Sequence, residues 1–117
     1  MKIDYKESAG FKKDLKKLLK RFPTLLSDLG VAKKAAIELC HINELDNRAV
    51  FEIQGYGKEE LRYYKIKKFA CRSLKNRGNQ SGIRIIYSYN KVTHTVDFIE
   101  MYHKADQADF TKSRLLS

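Results

Sequence analysis

Gly82-Ile-Arg-Ile-Ile-Tyr-Ser-Tyr-Asn-Lys-Val-Thr-His-Thr-Val-Asp-Phe-Ile-Glu-Met-Tyr-His-Lys104 reads as two strands joined by a short polar turn. Two β-branched and aromatic runs flank Asn90–His94, the pattern of a hairpin. In the first run Ile83, Ile85 and Tyr87 share one face, and Ile86 lies on the other. A strand that is apolar on both sides is central in its sheet, so other elements must cover it. Arg84 nevertheless sits among those isoleucines, and His103 and Lys104 close the second strand. A charge in a central strand is costly unless it is paired or faces a wet cleft.

The segment before the hairpin, Leu61–Leu74, also has strand composition, with Lys65 and Lys67 on one face and Tyr64 and Ile66 on the other. The doubled Lys67-Lys68 breaks the alternation and predicts a bulge or change of register. Further back, Ala49–Ile53 has the residues of a strand, and Gly55-Tyr56-Gly57 those of a turn. At the start of the chain Lys2–Lys6 alternates as a short strand. Ser8 then offers an N-cap to a helix whose apolar stripe is Phe11, Leu15, Leu18, Leu19 and Phe22. Pro23 ends that helix. A second helical segment runs from Thr24 to about Asn43, with a possible break at Gly30 and an apolar side rich in alanine. The two helices form an antiparallel pair lying on the sheet. Asp106–Leu116 supplies a last short helix or tail. The layout β-α-α-β-β-β, with helices segregated before an antiparallel meander, makes an α+β two-layer domain.

The chain has 117 residues, enough for one modest core, and is read as a single domain, 1–117. A 43% hydrophobic content with seven Tyr and six Phe is that of a globular protein. Against 14 acidic residues stand 24 Lys and Arg, a formal net charge of +10. Such a surplus favours nucleic acid, an anionic membrane or an acidic protein partner. The N-terminus lacks the apolar core of an export signal, and no apolar run approaches the roughly 20 residues needed to cross a bilayer. Cys40 and Cys71 fit no zinc or redox spacing and read as reduced thiols, so a cytoplasmic location is expected.

Between Arg62 and Gly78 there are seven basic residues and no acidic one: Arg62, Lys65, Lys67, Lys68, Arg72, Lys75 and Arg77. Tyr63, Tyr64 and Phe69 are interleaved. Cations for phosphates and rings for base stacking are what an RNA-contacting surface needs. Lysines on an edge strand, blocking aggregation, give the same pattern. Arg84, His103 and Lys104 tip the balance towards function, because adjacent strands would aim charge at one patch. The basic face of the first helix is read as solvated, with its Phe and Leu stripe covering the sheet rather than a membrane. Asp97 and Glu100 are expected on opposite faces of their strand, which leaves no local carboxylate pair for catalysis. His41, His94 and His103 share no metal-ligand spacing with each other or with the cysteines, so neither a metal nor another cofactor is expected.

Tyr64-Lys65-Ile66-Lys67, the strand Ser81-Gly82-Ile83-Arg84-Ile85-Ile86-Tyr87 and the ending Met101-Tyr102-His103-Lys104 resemble the RelE/ParE superfamily of toxins from bacterial type II toxin–antitoxin systems. The resemblance covers nearly the whole chain in element order and is most specific in Ser-Gly-x-Arg-x-x-Tyr. It implies a ribosome-dependent, metal-independent endoribonuclease that cuts messenger RNA through attack of the RNA's own 2′-hydroxyl, held silent by an acidic antitoxin. By the same resemblance Lys65, Lys67, Arg84, His103 and Lys104 would be catalytic. Arg84 would stabilise charge on the phosphate, and His103 is a side chain able to transfer protons at cellular pH. Tyr64, Lys68, Arg72, Lys75, Arg77 and Phe110 would contact RNA, with Phe110 where the family carries a base-stacking tyrosine. ParE-type members share the fold but inhibit DNA gyrase. Gyrase inhibition and a non-catalytic nucleic-acid-binding module are therefore the alternatives.

Overall fold

Ser8 begins the helical layer, and its hydroxyl accepts the Phe11 N–H at 3.2 Å, as a capping residue should. The protein is described from a computed structural model, covering residues 2–45, 48–74 and 80–115. Its elements in chain order are β1 (Asp4–Glu7), α1 (Ala9–Leu19), α2 (Leu25–Ala32), β2 (Val50–Ile53), β3 (Leu61–Ile66), β4 (Ile83–Asn90) and β5 (Thr95–His103). The five strands form one sheet in the order β1-β5-β4-β3-β2, antiparallel except where β1 joins β5. The hairpin of β4 and β5 lies at its centre, as its two-sided apolar pattern requires. The described residues carry one strand more than the six-element layout: Val50–Ile53 pairs with β3 and forms the far edge.

Phe11, Leu15 and Leu18 of α1, with Phe22 just after it, point onto the sheet, where they meet Ile83, Ile85, Tyr87, Val96, Phe98 and Met101 in the main core. The second helix is not broken at Gly30. It runs through Ala32, widens into a π-helical stretch at Lys33–Glu38 and ends in the turn Leu39–His41. The Tyr5 hydroxyl donates to Glu38 Oε2 at 2.9 Å and lies 3.3 Å from the Lys33 carbonyl, so it contacts both ends of the widened stretch.

Among the described residues no α-helix covers the opposite face of the sheet. One end of it is covered by the chain after β5, where Phe110 and Leu115 pack with Ile86, Ile99 and Tyr102 in a second, smaller cluster. That segment is a turn followed by a 3₁₀ turn at Lys112–Arg114 rather than an α-helix over Asp106–Leu116. It is fastened to the sheet instead: buried Glu100 accepts the Thr111 N–H at 2.7 Å, the Thr111 hydroxyl at 2.7 Å and Gln107 Nε2 at 3.0 Å. Arg114 then donates to Asp14 of α1 at 2.7 Å and to the Ile99 carbonyl at 3.1 Å, tying the segment down.

Glu100 reaches this face because of an irregularity in β5. Ile86 pairs with Glu100 and Tyr87 with Phe98, which leaves Ile99 as an extra residue between them. The bulge reverses the alternation, so Asp97, opposite Ser88, and Glu100, opposite Ile86, lie on the same face. The strict period-two expectation that separated them fails here for that reason.

A candidate cationic cleft at the sheet end

Strand β3 stops at Ile66 because its next carbonyl is taken by a side chain. Arg84 Nη1 donates to the Lys67 carbonyl at 2.9 Å, while the Lys67 N–H still bonds the Ala49 carbonyl at 2.9 Å. Released from β4, Lys67 and Lys68 turn outward, and Phe69 anchors the chain again in the core beside Gln80. Here is the interruption that the doubled lysine signalled, as a strand end in place of a bulge.

A cleft of about 260 Å³ opens at this point, lined by Lys67, Lys68, Gln80, Gly82, Arg84 and Lys104. Four of those six side chains are cations. Among the described residues none of the four has a carboxylate within 4.0 Å, whereas Lys65, Arg72, Arg21, Arg62 and Arg114 are all ion-paired. Gathering unpaired like charges costs stability, and an anion in the cleft would relieve that cost. Arg84 uses one of its five donors on the Lys67 carbonyl, which fixes the guanidinium and leaves the others for a ligand.

Gly82 shapes the floor. Its φ is +84°, and a Cβ there would lie 3.2 Å from His103 Nε2 and 3.2 Å from Lys104 Cγ. The missing side chain lets Lys104 lie across the turn, where its N–H also bonds the Gly82 carbonyl at 2.9 Å. Ser81, fully buried, donates its hydroxyl to the Phe69 carbonyl and accepts the Ile83 N–H at 3.2 Å.

His103 stands elsewhere than beside Arg84. It pairs with Ile83 and shares that residue's helix-side face, stacked on Phe22 at 5.6 Å. The residue across from Arg84 is Tyr102. Both imidazole nitrogens are occupied by backbone: Nδ1 accepts the Ala105 N–H at 3.2 Å, so Nε2 carries the proton and donates to the Ser81 carbonyl at 3.1 Å. Together Ser81 and His103 stitch the segments that carry Lys68, Arg84 and Lys104.

Lys65 shares the cleft's face, but Nζ bonds Asp109 Oδ1 at 2.8 Å and lies 5.2 Å from the centre of the Phe110 ring. That hydrogen bond holds the Asp109 carboxyl below the usual carboxylate range. Phe110 itself packs edge-on to Tyr56 at 5.9 Å. Burial is the chief cause that pushes the Tyr102 hydroxyl up to about 12, with the Asp109 and Glu100 carboxylates adding to it and Arg84 opposing.

Tyr64 points the other way. It is stacked on Tyr87 at 5.4 Å and meets the edge of His41 at 4.6 Å, beneath the helices. Strand alternation makes this unavoidable, since its neighbour Lys65 faces the cleft side. Arg72 is bound to buried Asp28 and to Ser27 of α2. The positions of Lys75 and Arg77 fall outside the described residues. Phe51, which no sequence pattern marks as a site residue, is exposed on the cleft side of β2, and Lys67 Nζ lies 5.0 Å from its ring centre. A larger hollow of about 920 Å³ elsewhere on the same face includes Asp4, Lys6, Ser88, Asn90 and Asp97 in its lining and has no comparable group of unpaired cations.

A helical hairpin on one face of a five-stranded sheet, with a cationic cleft where β3 and β5 end and β4 begins, defines an α+β fold of the RelE type. No known family matches the sequence, and no curated protein does. In shape the chain is similar to the archaeal RelE–RelB complex from Pyrococcus horikoshii OT3, with a TM-score of 0.54 and 15% identity over 89% of this chain and 97% of that one. The conserved hypothetical protein HP0892 from Helicobacter pylori has a TM-score of 0.48 and 18% identity over 90% of this chain and 98% of its own. The first likeness establishes the fold. No helix among the described residues is long and apolar enough to cross a membrane.

Proposed function

We propose that this protein is a toxin of a type II toxin–antitoxin system that cleaves messenger RNA on the ribosome. The observation that carries the reading is the set of four unpaired cations, Lys67, Lys68, Arg84 and Lys104, around a cleft on a RelE-like sheet. In the proposed reaction an RNA 2′-hydroxyl attacks the adjacent phosphorus as its proton departs. The bond from phosphorus to the 5′-oxygen breaks, that oxygen takes up a proton, and a 2′,3′-cyclic phosphate remains. Arg84 and Lys104 hold the non-bridging oxygens, and Lys67 and Lys68 hold the flanking phosphates. Preorganised cations aimed at the charge that grows on the phosphorane lower its energy more than that of the ground state. Lys65, tied to Asp109, supplies charge from beside the cleft. The partner that silences the protein is an acidic antitoxin, suited to a net charge of +10 and to the RelE–RelB pairing of the archaeal complex. The protein acts in the cytoplasm, where translation occurs.

The second reading is a nucleic-acid-binding module without catalysis. It is favoured by His103, whose two nitrogens are both engaged by backbone. Purified protein added to message-programmed ribosomes and, in parallel, to a gyrase supercoiling reaction separates the possibilities. The expected result is cut message and unaffected gyrase, with Arg84→Ala abolishing cutting while its Tm stays near wild type. Intact message with blocked supercoiling would replace the proposal by gyrase inhibition. Neither effect, together with salt-dependent RNA binding, would leave the binding module.

A further inference from the structure

Among the described residues Phe51 is the one aromatic side chain that stands largely exposed, at 42% of its full accessibility. Tyr56, Tyr63, Tyr102 and Phe110, the other aromatics on this face, are wholly or partly enclosed in the smaller cluster. An exposed phenyl ring on an edge strand is a liability, because it offers an apolar handle for aggregation. It brings little packing in return. Its position is therefore informative. Phe51 pairs with Lys65 in the β2–β3 register, which places it on the cleft face, and the Lys67 ammonium lies 5.0 Å from its ring centre. Lys67 lines the cleft itself. An aromatic face thus stands next to a phosphate-binding cation, the pairing that single-stranded nucleic acid uses for base and backbone together.

We propose that Phe51 is a base-stacking platform, and that the nucleotide adjoining the phosphate held in the cleft lays its base on this ring. The proposal rests on the cationic cleft as a phosphate site and adds a ligand group that the cations cannot hold. Phe110 does not serve the purpose, because its ring is packed into the smaller cluster and edge-on to Tyr56. Stacking is tolerant of base identity, so Phe51 contributes affinity and position more than sequence choice.

The test measures binding of a short single-stranded RNA, fully 2′-O-methylated so that it cannot be cut, and of inorganic polyphosphate of equal charge. Phe51→Ala should bind the RNA roughly 5- to 100-fold more weakly, the loss expected for one stacked base, and bind polyphosphate as wild type does. Phe51→Trp should restore RNA affinity, and its fluorescence should be quenched when RNA binds. Equal affinity of Phe51→Ala and wild type for the RNA overturns the platform and leaves the cleft standing. Equal loss towards both ligands also overturns it, since Phe51 would then act only by placing Lys67. If wild type binds neither polyanion, the cleft reading fails and the platform fails with it.

Discussion

Gly82→Ala probes the cleft floor, with Gly30→Ala as a control within the same chain. At Gly82 the backbone is left-handed, φ +84°, a conformation that costs an alanine about 1–2 kcal/mol. The new Cβ would also stand 3.2 Å from His103 Nε2 and 3.3 Å from Lys104 Cε. The lysine can swing away. The imidazole cannot move without giving up Phe22 and two backbone hydrogen bonds. A total near 2 kcal/mol follows, roughly 6–12 °C in Tm for a domain of this size. Gly30 has ordinary helical geometry and open space around it, so alanine there should stabilise by about 0.5–1 kcal/mol. Thermal unfolding of both variants is the assay, with polyphosphate affinity to report on Lys104. Opposite signs are expected, with weakened anion binding confined to Gly82→Ala. An unchanged Tm for Gly82→Ala would refute the argument, because the turn would then not need its glycine.

His41, half-buried against Tyr87 and stacked on Tyr89 at 4.1 Å, has its pKa lowered by desolvation to about 4. The unfolded chain binds that proton near pH 6.5, so stability should be full above this value. It should decline by about 1–3 kcal/mol as pH falls towards 4; His41→Gln should flatten that part of a stability–pH curve, and an unaltered slope would contradict the assignment. Glu100→Ala strands the Thr111 N–H and its neighbours, so a loss of about 1–3 kcal/mol is expected. Hydrogen exchange should quicken in 109–115 before the rest of the sheet, and uniform quickening would count against a local fastening role. If His103 works by holding the Ser81 carbonyl, His103→Gln, which keeps a donor near Nε2, should retain RNA cleavage within about tenfold of wild type, whereas His103→Ala should lose more. A pH–rate limb present in wild type and missing in His103→Gln would instead make the imidazole a general acid or base.

The fold was legible in the chain because its signals were redundant. The stripe from Phe11 to Phe22, the Ser8 cap and the two-sided apolar pattern around Ile85 all agreed with one two-layer arrangement. The cleft was half legible. Arg84 stands out as a charge on a central strand, and its place on the face away from α1 and α2 resolves the conflict. The rest depended on geometry that periodicity does not carry. One extra residue, Ile99, brings Asp97 and Glu100 to the same face. Strand alternation hands the position beside Arg84 to Tyr102 and sends His103 towards Phe22, although the two are neighbours in sequence. Asp106–Leu116 contains helix formers, yet in its described part Glu100 takes the Thr111 N–H and the Thr111 and Gln107 side chains, which holds the chain against the sheet. Phe51 is not legible in the sequence because exposure decides its meaning, and a short edge strand carries no sign of which ring stays uncovered.

The central claim is that Lys67, Lys68, Arg84 and Lys104 together handle a phosphate under attack by its own ribose. The most direct test is the fate of a ribosome-bound message carrying ribose throughout, compared with one bearing a single 2′-deoxy substitution at the mapped cut. The ribose message should be cut to an upstream fragment ending in a 2′,3′-cyclic phosphate, and the deoxy message should survive at that position. An intact ribose message, or equal cutting of both, would contradict the account.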